Sequence, residues 1–152
     1  MQNQNYKKWM NIALSEAEKA SKKNEVPVGA IIIYQNNIIS YGHNNSISKN
    51  DPTLHAEIDA IRKACKKIGN YRLTNTTLVV TLEPCLMCYG AIVQSRISKV
   101  IFGAYDLKTG VCESCADIKK LRCFNHKPDV IGGILEEKCS LILKDFFKER
   151  RN

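Results

Sequence analysis

Residues 51–58 read Asp-Pro-Thr-Leu-His-Ala-Glu-Ile, and residues 80–88 read Val-Thr-Leu-Glu-Pro-Cys-Leu-Met-Cys. The two stretches place His55, Cys85 and Cys88 at two predicted helix starts. A Cys-x-x-Cys spacing at a helix N-terminus lets two thiolates converge on one ion, and the helix dipole there favours the thiolate form. One imidazole nitrogen adds a third ligand. Three protein ligands leave the fourth zinc position open to water, which is typical of catalytic zinc sites and not of structural ones.

Glu57 follows His55 by two residues. In the first turn of a helix, a carboxylate at this spacing reaches beside the metal without binding it and can accept a proton from water. The combined pattern, H-x-E followed by P-C-x-x-C, is the signature of zinc-dependent nucleobase deaminases. A core histidine or a redox cysteine pair explains either half alone, but not both halves in order at two helix starts. The pattern predicts one catalytic Zn²⁺ held by His55, Cys85 and Cys88, with Glu57 as the catalytic acid and base.

The segments around these motifs alternate between helical and strand periodicities. The predicted elements, in chain order, are a helix with an apolar stripe from Tyr6 to Ala20, a β-hairpin over 28–34 and 38–41, a helix with Asp51 as N-cap and Pro52 as first residue that ends at Gly69, a strand over 77–82, a helix from Pro84 to about Gln94, strands at 100–102 and 130–131, and a closing helix over 136–151. This order predicts the α/β class, with a sheet layered between helices as α/β/α.

The length and composition limit the number of domains, the cellular compartment and the classes of partner. A chain of 152 residues predicts a single domain over 1–152. Lys and Arg outnumber Asp and Glu by 23 to 15, and the net charge of +8 either forms an ordinary solvated surface or attracts a nucleic-acid backbone. Seven cysteines without a secretory signal favour a reducing cytoplasm over a disulfide framework. No apolar run approaches the ~20 residues of a membrane span, so we expect no membrane partner.

Beyond the metal motif, the chain resembles the bacterial tRNA-specific adenosine deaminases from about Trp9 to Arg151. The likeness rests on Glu25–Ala30 (EVPVGA), 51–58 (DPTLHAEI), Asn70–Leu73 (NYRL), Val80–Cys85 (VTLEPC), Ser95–Ile97 (SRI), Phe102–Gly110 (FGAYDLKTG), Asn125-His126 and Asp145–Phe147 (DFF). The resemblance implies a cytidine deaminase-like fold with a mixed five-stranded sheet, a homodimer and one Zn²⁺ per subunit. It also implies that the chain converts the wobble adenosine (position 34) of a tRNA anticodon stem-loop to inosine.

The resemblance also implies substrate contacts outside the metal set. Asn44 either hydrogen-bonds the target base or closes an Asx turn in a polar loop. Asp106 either accepts a hydrogen bond from the ribose 2′-hydroxyl, which only RNA offers, or caps an ordinary turn. We also place Ala56 and Pro84, which flank the metal ligands in sequence, in contact with the substrate.

The closing helix combines aromatic and basic side chains. Its predicted apolar side consists of Leu141, Ile142, Phe146 and Phe147. One interpretation gives Phe147 and Arg150 to base stacking and phosphate contact in the anticodon stem-loop. The other is an amphipathic helix with its phenylalanines in the core. We expect both to hold in part, with at least one phenylalanine packed and the basic side facing RNA.

A second set of potential metal ligands follows the spacing C-x2-C-x7-C-x2-H. It consists of Cys112, Cys115, Cys123 and His126. This set resembles a zinc knuckle but departs from the family pattern, in which only the histidine fits. Cys65 and Cys139 fall on apolar helix stripes and are predicted to lie in the core.

Three functions compete on this sequence. A deaminase of free bases or nucleosides, such as guanine or cytosine, would use the same zinc site but gains nothing from the basic excess. A non-catalytic zinc module that binds RNA has no need of Glu57, because a closed metal site requires no general base. The tRNA adenosine deaminase accounts for both the basic excess and the carboxylate.

Overall fold

A computed structural model describes residues 2–151, so Met1 and Asn152, the ends of the predicted domain, lie outside it. The elements are α1 (Gln2–Lys22), β1 (Gly29–Tyr34), β2 (Asn37–His43), α2 (Ala56–Ile68), β3 (Thr76–Leu82), α3 (Leu86–Gln94), β4 (Lys99–Ala104), a 3₁₀ turn (Ile118–Lys120), β5 (Asp129–Ile131) and α4 (Glu136–Arg151). No helix among the described residues is long and apolar enough to cross a membrane. The predicted hairpin, the later strands and the closing helix are confirmed.

The five strands form one mixed sheet in the order β2-β1-β3-β4-β5. β1 pairs antiparallel with both β2 and β3, whereas β3, β4 and β5 run parallel. The crossover between β3 and β4 contains α3 on one face of the sheet, whereas α1 and α4, which precede the first strand and follow the last, lie on the other face. The predicted three-layer α/β/α arrangement with a mixed sheet is therefore confirmed.

Each face of the sheet carries its own apolar core. On one face, α1 and α4 pack on side chains such as Ile31 and Ile101, with Cys139 of α4 fully buried among them. On the other face, α2 and α3 cover Ile32, Leu78 and neighbouring side chains. The predicted core position of Cys139 is confirmed, while Cys65 is only half-buried.

Helix α2 begins four residues later than predicted. Asp51 does not cap it, because its Oδ1 accepts hydrogen bonds from the Thr53 amide (2.9 Å) and hydroxyl (2.6 Å) and so closes a local turn. The helix starts at Ala56 after an extended His55, and it ends as predicted on Gly69 in the left-handed conformation (φ 76°). Similarly, α3 starts at Leu86 and not at Pro84.

The closing helix is less buried than its sequence predicts. Phe146 is packed, but Leu141 and Phe147 are 56% and 45% exposed, so the predicted apolar side is wrong at these two positions. Helix α4 packs on β4, β3 and α1, and no other helix or strand among the described residues covers its remaining sides. The expectation that at least one phenylalanine packs is confirmed.

Candidate active site

The three potential metal ligands meet where two helices begin beside each other. His55 and Cys85 are the N-cap residues of α2 and α3, and both have extended backbone (ψ 163° and 174°) that turns their side chains inward. His55 Nδ1 lies 3.7 Å from Cys85 Sγ and 3.5 Å from Cys88 Sγ. Among the described residues this is the one group of three or more such side chains close enough to hold an ion.

The donor spacing fits zinc. A tetrahedral ion with Zn–N of ~2.05 Å and Zn–S of ~2.3 Å sets its nitrogen and sulfur ligands about 3.5 Å apart. The two observed nitrogen–sulfur distances, 3.5 and 3.7 Å, agree with that value. One imidazole and two thiols are also the donor types that zinc prefers.

The pKa values of the three donor groups are shifted in different directions. A hydrogen bond from the Cys88 thiol, with a second contact from His55, lowers the pKa of Cys85 to about 4 against the effect of burial. The same sulfur–sulfur hydrogen bond, together with burial, raises the pKa of Cys88. The bond to Cys85 raises the pKa of His55. A divalent cation that displaces the remaining protons fits this charge pattern.

Glu57 lies in the first turn of α2 and is 4% exposed. Burial raises the pKa of its carboxyl to about 7, although its own backbone amide, His55 and the Cys88 thiol act in the opposite direction. Near neutral pH, both the protonated and the ionised form of this carboxyl are therefore populated. A group with this property, beside three metal donors, is suited to proton transfer.

A cavity of about 180 Å³ opens onto these groups. It is well below the ~300–1,000 Å³ of pockets for drug-sized ligands, so it suits a single base better than a whole nucleotide. Its lining consists of Val26, Val28, Asn44, His55, Glu57, Leu82, Glu83, Cys85, Asp106 and Thr109. The structure thus brings Asn44 and Asp106 into the same cavity as His55, Glu57 and Cys85.

Asn44 joins the β2 end of the sheet to the metal site. Its Oδ1 accepts a hydrogen bond of 2.8 Å from the Ala56 amide and so caps α2 from the beginning of the loop that leads into the helix. That bond occupies the amide oxygen and leaves the Asn44 NH₂ group as the donor available to the cavity. Gly42, two residues earlier, has no room for a Cβ against the Ala56 carbonyl, and this close approach holds β2 on α2.

The other predicted substrate residues take different positions. Asp106 closes a turn with the Lys108 and Thr109 amides (both 3.1 Å) and the Thr109 hydroxyl (2.7 Å), while still lining the cavity. Ala56 and Pro84 are buried next to the metal donors and do not line it.

Phe147 and Arg150 lie on α4, away from the cavity lining. Phe147 borders a shallow groove with Leu143, Lys144, Lys148 and Arg151. Arg150 turns back to the protein: its guanidinium carbon lies 3.4 Å from the centre of the Phe146 ring, and its Nη2 donates to Asn24 Oδ1 at 2.8 Å.

The second cysteine set is not assembled. Cys112 is buried in the core, while Cys115 and Cys123 are exposed. His126 Nε2 lies 2.7 Å from the Ile97 carbonyl oxygen and is occupied there. Within residues 2–151 these four side chains form no cluster that meets the geometry of a metal site.

Two residues beside the site were missed from the sequence. Glu25 and Glu83 are 1% and 2% exposed, and each accepts hydrogen bonds from a loop that borders the cavity. Both lie inside the segments that carry the family resemblance. The one available signal was a carboxylate beside strongly apolar residues, where an acidic side chain needs a partner.

Comparison with known proteins gives consistent matches. A family model for the zinc-binding region of cytidine and deoxycytidylate deaminases matches residues 3–104. The chain is 50% identical to a tRNA-specific adenosine deaminase of Haemophilus influenzae, covering 95% of this chain and 84% of the relative. It is 44% identical to the Bacillus subtilis enzyme of the same name, covering 94% and 89%. A solved structure from a study of tRNA A34 deaminases has a TM-score of 0.87 at 41% identity, covering 89% of this chain and 98% of that one.

Proposed function

The chain belongs to the zinc-binding cytidine and deoxycytidylate deaminase family, and we propose that it deaminates the wobble adenosine of a tRNA anticodon to inosine. The reaction is a hydrolysis in which adenosine and water give inosine and ammonia. Relatives that are 44–50% identical over nearly the whole chain are tRNA-specific adenosine deaminases. The observation that carries the proposal is Glu57 buried beside His55, Cys85 and Cys88 in a cavity the size of one base.

We propose that His55, Cys85 and Cys88 hold one Zn²⁺ per subunit. The donor distances support this assignment, and so does the match to a zinc-binding family model. When bound, zinc supplies Lewis-acid chemistry that lowers the pKa of water toward ~7 and so provides a nucleophile at neutral pH.

We propose that Glu57 handles the protons of the reaction. Attack at C6 of adenine requires a proton on ring nitrogen N1, and departure of ammonia requires another proton on the amine. The Glu57 carboxylate takes a proton from the attacking water and delivers it to N1. It then takes the second proton from the hydroxyl group that the attack adds at C6 and delivers it to the leaving amine, so that the C6 oxygen becomes a carbonyl and ammonia departs. A pKa near 7 suits both steps, since the group accepts and releases protons with equal ease at neutral pH.

The remaining cavity residues position the nucleoside. The Asn44 NH₂ group donates to an acceptor of the base, and Asp106 accepts from the ribose 2′-hydroxyl with a lone pair its turn leaves free. Ala56 and Pro84 shape the wall behind the metal donors. On α4, Phe147 and Arg151 contact the stem-loop from the exposed groove, whereas Arg150 anchors the helix.

The tRNA anticodon stem-loop is the macromolecular partner. The net charge of +8 supports attraction to a phosphate backbone. We also propose that the chain works as a homodimer in the cytoplasm, on the basis of the family resemblance and of seven cysteines that form no disulfide in the structure's described part.

The test compares substrates on one preparation. Inosine formation is measured on an anticodon stem-loop with adenosine at the wobble position, and on free adenosine, guanine and cytosine. We expect rapid turnover of the stem-loop, little of the free compounds, and a rate that falls steeply with salt because phosphate contacts release counterions. Faster turnover of guanine or cytosine would establish a free-base deaminase instead.

Metal analysis accompanies this assay. We expect about one zinc per chain, lost together with activity in Cys88→Ser. Cys115→Ser changes an exposed thiol outside the site and serves as the matched control, which should keep both zinc and activity. Full zinc retention in Cys88→Ser would contradict the ligand assignment.

A further inference from the structure

Residues 105–114 form one wall of the cavity, and Glu83 lies directly behind them. Asp106 and Thr109 of this segment line the cavity together with Glu83. Glu83 precedes Pro84 and the metal donor Cys85 in sequence, and its side chain is 2% exposed. The carboxylate is therefore a buried group that the chemistry of deamination does not use.

The wall is attached to this carboxylate at both of its ends. Glu83 Oε1 accepts a hydrogen bond of 3.1 Å from the Asp106 amide, at the start of the segment. Oε2 accepts from the Glu113 and Ser114 amides at 2.8 and 3.0 Å, at the end of the segment. The Ser114 hydroxyl also donates to Oε1.

The chain between these ends is packed tightly against the same group. A Cβ on Gly110 would lie 2.5 Å from Glu83 Cδ and 2.6 Å from the Asp106 carbonyl oxygen. Gly110 forms a β-bridge with Cys85, and the Val111 amide donates to the Pro84 carbonyl at 3.1 Å. The segment is thus held onto the metal-binding turn, with the carboxylate filling the space beneath it.

We propose that Glu83 is a positioning residue that presets this wall for the ribose of the substrate adenosine. A buried carboxylate must be matched by donors, and the amides of Asp106, Glu113 and Ser114 supply them. Replacement by glutamine would turn one oxygen into an NH₂ group facing amide donors, which releases one end of the wall. The consequence falls on substrate binding and on 2′-hydroxyl recognition at Asp106, and not on the proton transfers of Glu57. This inference rests on the proposed function.

The kinetic test uses Glu83→Gln, with Glu113→Gln as a matched control that keeps the backbone amide bound to Glu83. Gly110→Ala disturbs the same contact from the other side without changing any charge. Each zinc-loaded protein is assayed on the RNA stem-loop and on one carrying 2′-deoxyadenosine at the target position. For Glu83→Gln and Gly110→Ala we expect KM to rise about 5- to 100-fold, kcat to change little, and the preference for the ribose substrate to shrink. Unchanged KM and preference in both variants would overturn the proposal.

Amide hydrogen exchange reads the same contact without substrate. The amides of Asp106, Glu113 and Ser114 should exchange faster in Glu83→Gln and Gly110→Ala, while the amides of β3 keep wild-type rates in both variants. In the control Glu113→Gln, all of these amides should exchange at wild-type rates. Wild-type exchange in both variants would overturn the clamp itself. A wild-type protein inactive on the stem-loop would overturn the proposed function, and the exchange rates would still decide whether Glu83 holds the wall.

Discussion

Glu25 and Glu57 are both almost completely buried, yet they differ in the hydrogen-bond donors that surround their carboxyl groups. The Glu25 carboxylate accepts hydrogen bonds from the Ile47 amide (3.1 Å) and from the Ser48 amide and hydroxyl (both 2.7 Å). The bonds that lower the pKa of Glu57 come from its own amide and the Cys88 thiol. Burial raises the pKa of both carboxyls, but at Glu25 the hydrogen bonds from Ser48 and Ile47 prevail and the pKa falls below its usual value.

The difference shows that burial alone does not decide what a charged side chain does. A carboxylate that accepts several hydrogen bonds from one loop stays ionised and fixes that loop, as Glu25 does for the segment after Asn44. A buried carboxyl with few donors holds its proton more strongly than usual, so at Glu57 it still carries and exchanges a proton near neutral pH. The following experiments test this contrast.

The largest effect is expected at Glu57. Glu57→Gln and Glu57→Ala remove the proton carrier, so turnover of the stem-loop should fall by ~10²- to 10⁴-fold or more. Zinc content, stem-loop affinity and melting temperature should stay close to those of the unmodified protein, because both variants keep all three metal donors. Single-turnover kinetics, metal analysis and thermal unfolding measure these quantities.

Glutamine is the sharper of the two variants. It keeps the shape of the side chain but cannot carry a proton, so it should be almost as inactive as alanine. Retention of more than about a tenth of wild-type turnover in either variant, well short of the expected loss, would contradict the proton-transfer assignment.

An intermediate effect, on stability and not on chemistry, is expected at Glu25. Glu25→Gln replaces an acceptor of three hydrogen bonds by an amide, which should lower the free energy of unfolding by about 1–3 kcal/mol at neutral pH. Urea titration measures the loss. Glu18→Gln, an exposed change on α1, is the control and should have little effect.

The loss at Glu25 should also depend on pH in a defined direction. The pKa of Glu25 lies below the ordinary glutamate value of 4.5 in the folded protein, so its stabilising contribution is complete above that pH. As the pH falls through the folded pKa, wild-type Glu25 becomes protonated and the difference between wild type and Glu25→Gln shrinks. A difference that grows on acidification would show that the pKa is raised instead.

The smallest effect extends the contrast to two adjacent cations on α4. The Arg150 guanidinium contacts Phe146 and Asn24, whereas Arg151 borders the exposed groove. Arg151→Ala should reduce the slope of log affinity against log salt by about 0.7–0.9 for the stem-loop, with no loss of stability. Arg150→Ala should cost about 1 kcal/mol of stability and leave the slope nearly unchanged. The reverse pattern would assign the phosphate contact to Arg150.

Much of the fold follows from local sequence patterns, and the wrong prediction for the start of α2 has a physical origin. Strands such as 77–82 were predicted correctly because a short run of β-branched and apolar side chains is typical of a buried strand. The start of α2 was predicted wrongly because its cap comes from Asn44, which lies 12 residues before Ala56 at the beginning of the same loop. Local rules favour Asp51, whose side chain instead serves the turn at Thr53. A cap supplied across space leaves no local signal.

The candidate site divides in the same way. His55, Glu57, Cys85 and Cys88 are detectable in the sequence because metal and proton chemistry constrain residue type and spacing. The role of Glu83 is not, since its donors lie 23 to 31 residues further along the chain. The inward turn of Arg150 likewise depends on Asn24, which is 126 residues away in sequence.

The buried thiol of Cys139 is a chemical probe for the detachment of α4 from the sheet. Its thiol is fully buried against Gly103, and burial raises its pKa to about 12, so an alkylating reagent meets neither an accessible sulfur nor a thiolate. Cys115 and Cys123 are exposed and react at once. Labelling of Cys139 therefore requires that α4 move away from the sheet, and its rate measures how often this opening occurs. A stem-loop bound along α4 should slow the labelling.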